Sequence, residues 1–246
     1  MDRMIYLAMT GAKYTLEQQA AVANNLANVD TPGFKEALHR LRAVHVQSQA
    51  LPSRAFVVDA TVSARFSEGV LEQTGRALDV AIAGPGWFAV QLPDGGEAYT
   101  RNGAFQVDNG GMLRLPNGQM VLGEGGAPIT LPSDRTYLVG KDGTINAIDP
   151  ANGQVEAVGR LRLVNPPVTE LQRGDDGLFR LPAGTPPPPE DPAVSVRGGY
   201  LEKSNVDVVD QMVRMIALAR QFEMNTKAIQ VAEEDDQRAT ALLSPR

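Results

Sequence analysis

The two histidines, His39 and His45, are the side chains best suited to bind a metal or move a proton near neutral pH. Six positions apart, they do not share a helix face, and no pattern of carboxylates orients them. Asp108-Asn109-Gly110 and Asp175-Asp176-Gly177 supply oxygen ligands of the kind calcium takes. A calcium loop needs several more acidic ligands and a glutamate at its twelfth position, so tight turns account for these residues better. Gly84-Pro85-Gly86 has the glycines of a phosphate cradle, but neither Lys-Ser nor Lys-Thr nor a helical pattern follows. Trp87 beside Phe88 could stack on a ligand; inside a strand pattern the pair reads as core. The chain has no cysteine, which removes thiol catalysis, thiolate metal sites and disulfides. These residues support no enzyme, cofactor, metal site or small-molecule substrate.

Charge narrows the partners. The chain has 246 residues with a net charge of −6, and its two signs are interspersed. No basic stripe suited to nucleic acid is present. The run Glu233-Glu234-Asp235-Asp236 reads as a solvated helix face. Lys35, Arg40, Arg42 and Arg54 make one segment locally basic, and pairing of that segment with the acidic run of another copy is the alternative.

The elements that carry these residues fall into zones. An N-terminal helix is expected over 1–26, with Ile5, Met9, Ala12, Leu16, Ala23 and Leu26, and Gln19 as the one polar member, on a stripe of alternating four- and three-residue spacing. That is the seam of a coiled coil. Thr31-Pro32-Gly33 stops it, because a proline disfavours the helical region for the residue before it and glycine permits a turn.

The middle, 66–181, alternates short apolar runs with turns. The runs are 78–82, 88–92, 120–122, 137–139 and 161–164; the turns include Asn109-Gly110, Asn117-Gly118, Asp142-Gly143 and Asn152-Gly153. Such pairs supply the positive φ of tight hairpins, so an antiparallel barrel or sandwich-like β domain is expected. Residues 183–192, with prolines at 186–189, read as a stiff extended linker.

A second helix is expected over 205–243, capped by Ser204 with Asp207. Its stripe is Met212, Met215, Ala219, Phe222, Thr226 and Ile229, widened by Val209, Val213 and Ile216. At about 39 residues it spans roughly 58 Å. The fold class is therefore α+β: long terminal helices form a coiled-coil-like core domain, with a central, mostly antiparallel β domain. The expected division is an N-terminal core helix (1–32), an extended arm (33–65), a β domain (66–198) and a C-terminal core helix (199–246). Two long amphipathic helices outside a β domain leave apolar surface that further copies or similar chains must cover. An adhesion module would leave both helices unexplained. No apolar run approaches the roughly 20 residues of a membrane span, and the opening residues do not read as a cleavable secretion signal.

Asn24-Asn25-Leu26-Ala27-Asn28-Val29-Asp30-Thr31-Pro32-Gly33-Phe34-Lys35 closely resembles the signature of the flagellar rod, hook and hook-associated proteins. The opening Met1-Asp2-Arg3-Met4-Ile5-Tyr6 is similar to the proximal-rod branch of that family. Thr74 to Ile82, Gly86 to Val90, Tyr99 to Phe105, Gly199 to Val206 and Phe222 to Lys227 continue the likeness in the family's order. The resemblance implies a structural subunit whose terminal helices build the tubular core of the rod around an export channel, with the β domain outward. It implies rod proteins and further copies as partners, passage through the flagellar type III export apparatus, and residence in the periplasmic basal body. The distal-rod branch is the alternative. Asn24, Asn25 and Asn28 read either as assembly determinants or as local capping and turn residues, and Pro32-Gly33 as a turn that redirects the chain.

Overall fold

The computed structural model describes residues 2–45 and 55–243. It is an α+β protein with two long helices and many antiparallel strands, and it divides into two compact units.

The first unit takes in Met1–Asn28, Glu36–Arg65 and Val206–Arg246. It contains α1 (Asp2–Ala27), β1 (Ala37–His45), β2 (Ala55–Ala64) and α2 (Val208–Leu243). The body of α1 has no proline, and its end is closed by Asn28, whose Nδ2 donates to the Asn24 carbonyl (2.9 Å). Asp207, not Ser204, caps α2: its Oδ1 accepts from the amides of Val209 (2.9 Å) and Asp210 (3.2 Å). Both amides lie in the first turn, where they have no carbonyl partner within the helix.

The helices run antiparallel. Asn225 on α2 donates to Thr15 on α1 (3.4 Å), and Asn25 donates to Gln211 (3.4 Å). The stripe residues Ala12, Leu26, Met215, Phe222 and Ile229 are half-buried, and the most buried line of this contact runs beside them. Its buried members are Thr15, Val22 and Asn25 on α1, with Gln211 and Ala232 on α2. Met9, Leu16 and Met212 are exposed instead. Polar Thr15, Asn25 and Gln211 share this inner line with apolar Val22 and Ala232.

The segment expected as an extended arm contains an antiparallel ribbon. β1 pairs with β2 from Ala37 opposite Ala64 to His45 opposite Ala55, with a bulge between Arg40 and Leu41.

The second unit takes in Val29–Lys35 and Phe66–Asn205. Its strands are β3 (Leu71–Gln73), β4 (Val80–Ala83), β5 (Trp87–Gln91), β6 (Glu97–Thr100), β7 (Gln106–Val107), β8 (Leu113–Arg114), β9 (Met120–Val121), β10 (Thr136–Val139), β11 (Thr144–Ile148) and β12 (Val155–Arg160). They continue with β13 (Leu163–Val164), β14 (Gln172–Arg173), β15 (Phe179–Arg180), β16 (Ser195–Gly198) and β17 (Tyr200–Glu202). The main sheet runs β14-β15-β6-β5-β9-β8-β7, with β13 also on β5. β10, β11 and β12 form a meander. Buried Ile82, Phe88, Val90, Phe105, Leu113 and Leu163 belong to one core cluster, and Phe88 and Phe105 meet edge to face at 5.1 Å.

The first and last strands of this unit find each other: β3 pairs with β17 and β4 with β16. The Pro-rich segment is docked onto the unit and does not lead directly to α2. Arg162 donates to the Pro188 carbonyl (3.1 Å) and the Asp191 amide to Leu163 (3.0 Å), before the chain returns as β16 and β17.

Candidate functional site

The Asn-rich motif serves both units, and each half has its own chemistry. In the first unit Asn25 is buried at the end of α1. Its carboxamide holds the start of β1 from both sides: Nδ2 donates to the Ala37 carbonyl (2.9 Å) and Oδ1 accepts from the Ala37 amide (2.8 Å). Buried Gln211 donates to Glu36 (2.8 Å), and Arg214 and Arg65 approach the same carboxylate at 3.4 and 3.5 Å. Asn24 is exposed and offers its carbonyl to Asn28. Leu26 is half-buried and Ala27 exposed. Asn28 therefore does cap its helix end, whereas Asn25 makes long-range bonds that local turn chemistry does not anticipate.

In the second unit Thr31 accepts from the Phe34 amide (3.3 Å) and closes a turn. Gly33, at φ +69°, donates to the Glu202 carbonyl (2.7 Å). A Cβ there would lie 2.3 Å from the backbone of Arg101, so only glycine fits both the angle and the approach. Phe34 is buried beneath the Arg173 guanidinium, 4.3 Å from its ring centroid. Burial lowers the pKa of that guanidinium.

Lys35 ends the motif in a buried ion cluster. Its Nζ donates to Glu202 Oε1 (2.6 Å) and to the Ser67 carbonyl (2.9 Å). Arg101 Nε donates to Glu202 Oε2 (2.7 Å), and its Nη1 reaches the carbonyls of Gly84 and Gly86, both at 2.8 Å. The Gly69 amide adds a bond to Glu202 Oε1 (2.9 Å). Lys35, Arg101 and Glu202 are only 2%, 3% and 1% exposed. Burial lowers the pKa of Lys35, and the Glu202 carboxylate opposes that shift.

Lys35 is thus internal, already paired with Glu202, and not part of a basic outer face. Arg54 lies outside the described residues, as do the side chains of Arg40, Arg42, His45 and Asp236. The turn carboxylates are engaged at home. Asp108 accepts from Gly110, Met112 and Arg114 (2.8, 2.9 and 2.6 Å), and Asp176 accepts from Leu178 and Arg180 (3.1 and 2.9 Å). Trp87 is buried against Phe179, with centroids 4.8 Å apart, and against Phe66.

The stripe residues divide by exposure. Ile5, Ala12, Leu26, Met215, Ala219, Phe222 and Ile229 are half-buried, whereas Met9, Leu16, Ala23 and Met212 are exposed. Val209, Val213, Ile216, Met224 and Val231 extend the apolar exposed surface of α2, and Tyr6 that of α1.

Comparison with known proteins ties these features together. The chain matches the model of flagella basal body rod proteins over residues 5–35, that of the flagellar hook protein FlgE/F/G D1 domain over 81–147, and that of the flagellar basal body rod FlgEFG protein C-terminal region over 197–242. It is 48% identical to the flagellar basal-body rod protein FlgF of Escherichia coli (strain K12) across 99% of both chains. The chain belongs to the flagellar basal-body rod protein family. The FlgF of Salmonella typhimurium is 46% identical across 99% of both chains. The FlgG rod protein of Bacillus subtilis is 31% identical across 95% of this chain and 96% of its own. Each family-matched segment sends one residue to the ion cluster: Lys35 from the first, Arg101 from the second and Glu202 from the third. Sequence reasoning passed over Arg101 and Glu202. Neither stands out locally: Arg101 lies between Thr100 and Asn102 just past β6, and Glu202 is followed by Lys203.

Proposed function

We propose that this rod-family chain is a structural, non-catalytic subunit of the flagellar basal-body rod, assembling through its terminal helices with copies of itself and with other rod proteins. The observation that carries this reading is the exposed apolar surface of α1 and α2, where Met9, Leu16, Val209, Met212, Val213 and Ile216 stand in water. Large apolar side chains on two long helices cost free energy unless a neighbour covers them. Ile5, Ala12, Ala23, Leu26, Met215, Ala219, Phe222 and Ile229 flank that surface and complete the interface. Coiled-coil-like contacts between subunits fit the four-three spacing of the stripes. In such a rod the helices enclose an export channel and transmit torque. Higher identity to the FlgF relatives than to the FlgG relative favours the proximal branch over the distal one. The subunit reaches the periplasm unfolded, through the flagellar export apparatus.

Ile216→Asp tests the reading. Ile216 is 56% exposed, so the monomer loses no more than about 0.5 kcal/mol. Its helical circular dichroism and export remain normal, while rods fail to form and cells do not swim. Motile cells with rods containing the variant would refute the role of this surface.

A further inference from the structure

A cavity of about 110 Å³ lies in the second unit against the buried ion cluster. We propose that it is a binding site for a small carboxylate. Its lining includes Lys35 and Arg101, the aromatic rings of Phe66 and Trp87, and Asn165. Two buried cations here share one buried carboxylate, Glu202. Glu68 also lines the cavity but is exposed to water.

The donors are not used up. Arg101 spends Nε on Glu202 and Nη1 on two carbonyls, and its Nη2 makes no hydrogen bond to the described residues. Lys35 spends two of its three protons on Glu202 and Ser67. A planar monoanion with two oxygens matches the pair of donors. A cavity of this volume holds an acetate-sized group, and two aromatic rings line it. Neither the assembly surface nor the rod reading enters this argument.

Trp87 is the only tryptophan in the chain and lines the cavity, so its emission reports occupancy. The full chain is titrated with sodium acetate at constant ionic strength, using sodium chloride to balance. The expected result is a saturable change in emission with half-saturation at about 1 mM, weakened at least about tenfold in Lys35→Met, which removes one of the two donors. Val168→Phe keeps the ion cluster and narrows the cavity, and it abolishes the change. If Lys35→Met fails to fold, Val168→Phe decides alone. An acetate response no larger than that of chloride overturns the proposal. So does an equal response in Val168→Phe, or tighter binding of inorganic phosphate than of acetate. Acetate binding that is independent of protein concentration assigns a free carboxylate. Competition between acetate and self-association assigns an Asp or Glu side chain of a second copy.

Discussion

Glu202→Gln keeps the volume of the side chain and removes its charge. In the parent, the carboxylate takes bonds from Lys35 Nζ, Arg101 Nε and the Gly69 amide at 2.6, 2.7 and 2.9 Å. The variant leaves two cations, 2% and 3% exposed, without a counter-charge. Breaking a buried pair by deleting one partner costs about 3–5 kcal/mol, because the remaining charge stays desolvated. A loss of about 4 kcal/mol with a urea slope of about 2 kcal/mol/M lowers the midpoint by about 2 M. Urea unfolding of the full chain, followed by Trp87 emission, reads the second unit directly. Glu72→Gln is the internal control. Its partner Lys203 lies next to Glu202 in sequence, and their ion pair is 3.0 Å long, but each side chain is 55% exposed. An exposed pair contributes about 0–1 kcal/mol, so this midpoint moves little. A Glu202→Gln midpoint within the error of Glu72→Gln would show that water or a shifted Lys35 proton replaces the carboxylate, and the cluster would not be what ties the motif to the β unit.

Three further outcomes follow from the same contacts. Gly33→Ala forces a side chain into a positive-φ position 2.3 Å from the Arg101 backbone; it lowers the Trp87 unfolding midpoint by about 1–3 kcal/mol equivalent. Asn25→Ala strips both bonds from the Ala37 backbone; the helical signal at 222 nm melts earlier, by about 1–3 kcal/mol, while Trp87 emission changes little. The Asp176 pKa is lowered first by its hydrogen bond with Arg180. A lowered folded-state pKa gives stability that is present above the unfolded value and lost as pH falls through the folded one. Asp176→Asn therefore flattens the decline of the melting temperature below about pH 4 and leaves its slope near neutrality unchanged.

Local chemistry was legible in the sequence, and distant pairing was not. The turn pairs placed positive φ at Gly118, Gly143, Gly153 and Gly177, whereas at Asn109-Gly110 it falls one residue later, on Gly111. The apolar runs at 78–82, 88–92, 120–122, 137–139 and 161–164 contain or overlap β4, β5, β9, β10 and β13. These signals are short-range and depend on residue type. β3, β16 and β17 carried no such signal, because each is defined by a partner more than a hundred residues away. The ion cluster escaped for the same reason: Lys35 and Glu202 are 167 positions apart. The polar members of the inner helix line, Thr15, Asn25 and Gln211, were missed because a hydrophobic stripe counts polar residues as solvent-facing. What buries them is mutual hydrogen bonding, which periodicity does not register.

The meeting of β3 with β17 has a mechanical consequence. The chain enters the second unit at 29–35 and leaves it at 205, and these passes are bonded to each other: Gly33 to Glu202, Lys35 to Glu202, and Asn205 to Phe34 at 3.3 Å. Tension applied between residues 35 and 205 is therefore borne first by this short clasp, and the apolar core around Phe88 and Leu113 lies off the load path. A rod subunit built this way can pass strain from one end of its chain to the other without shearing its sheet. Pulling on a single molecule between these two points should rupture the clasp as a distinct early event, before the body of the β unit gives way.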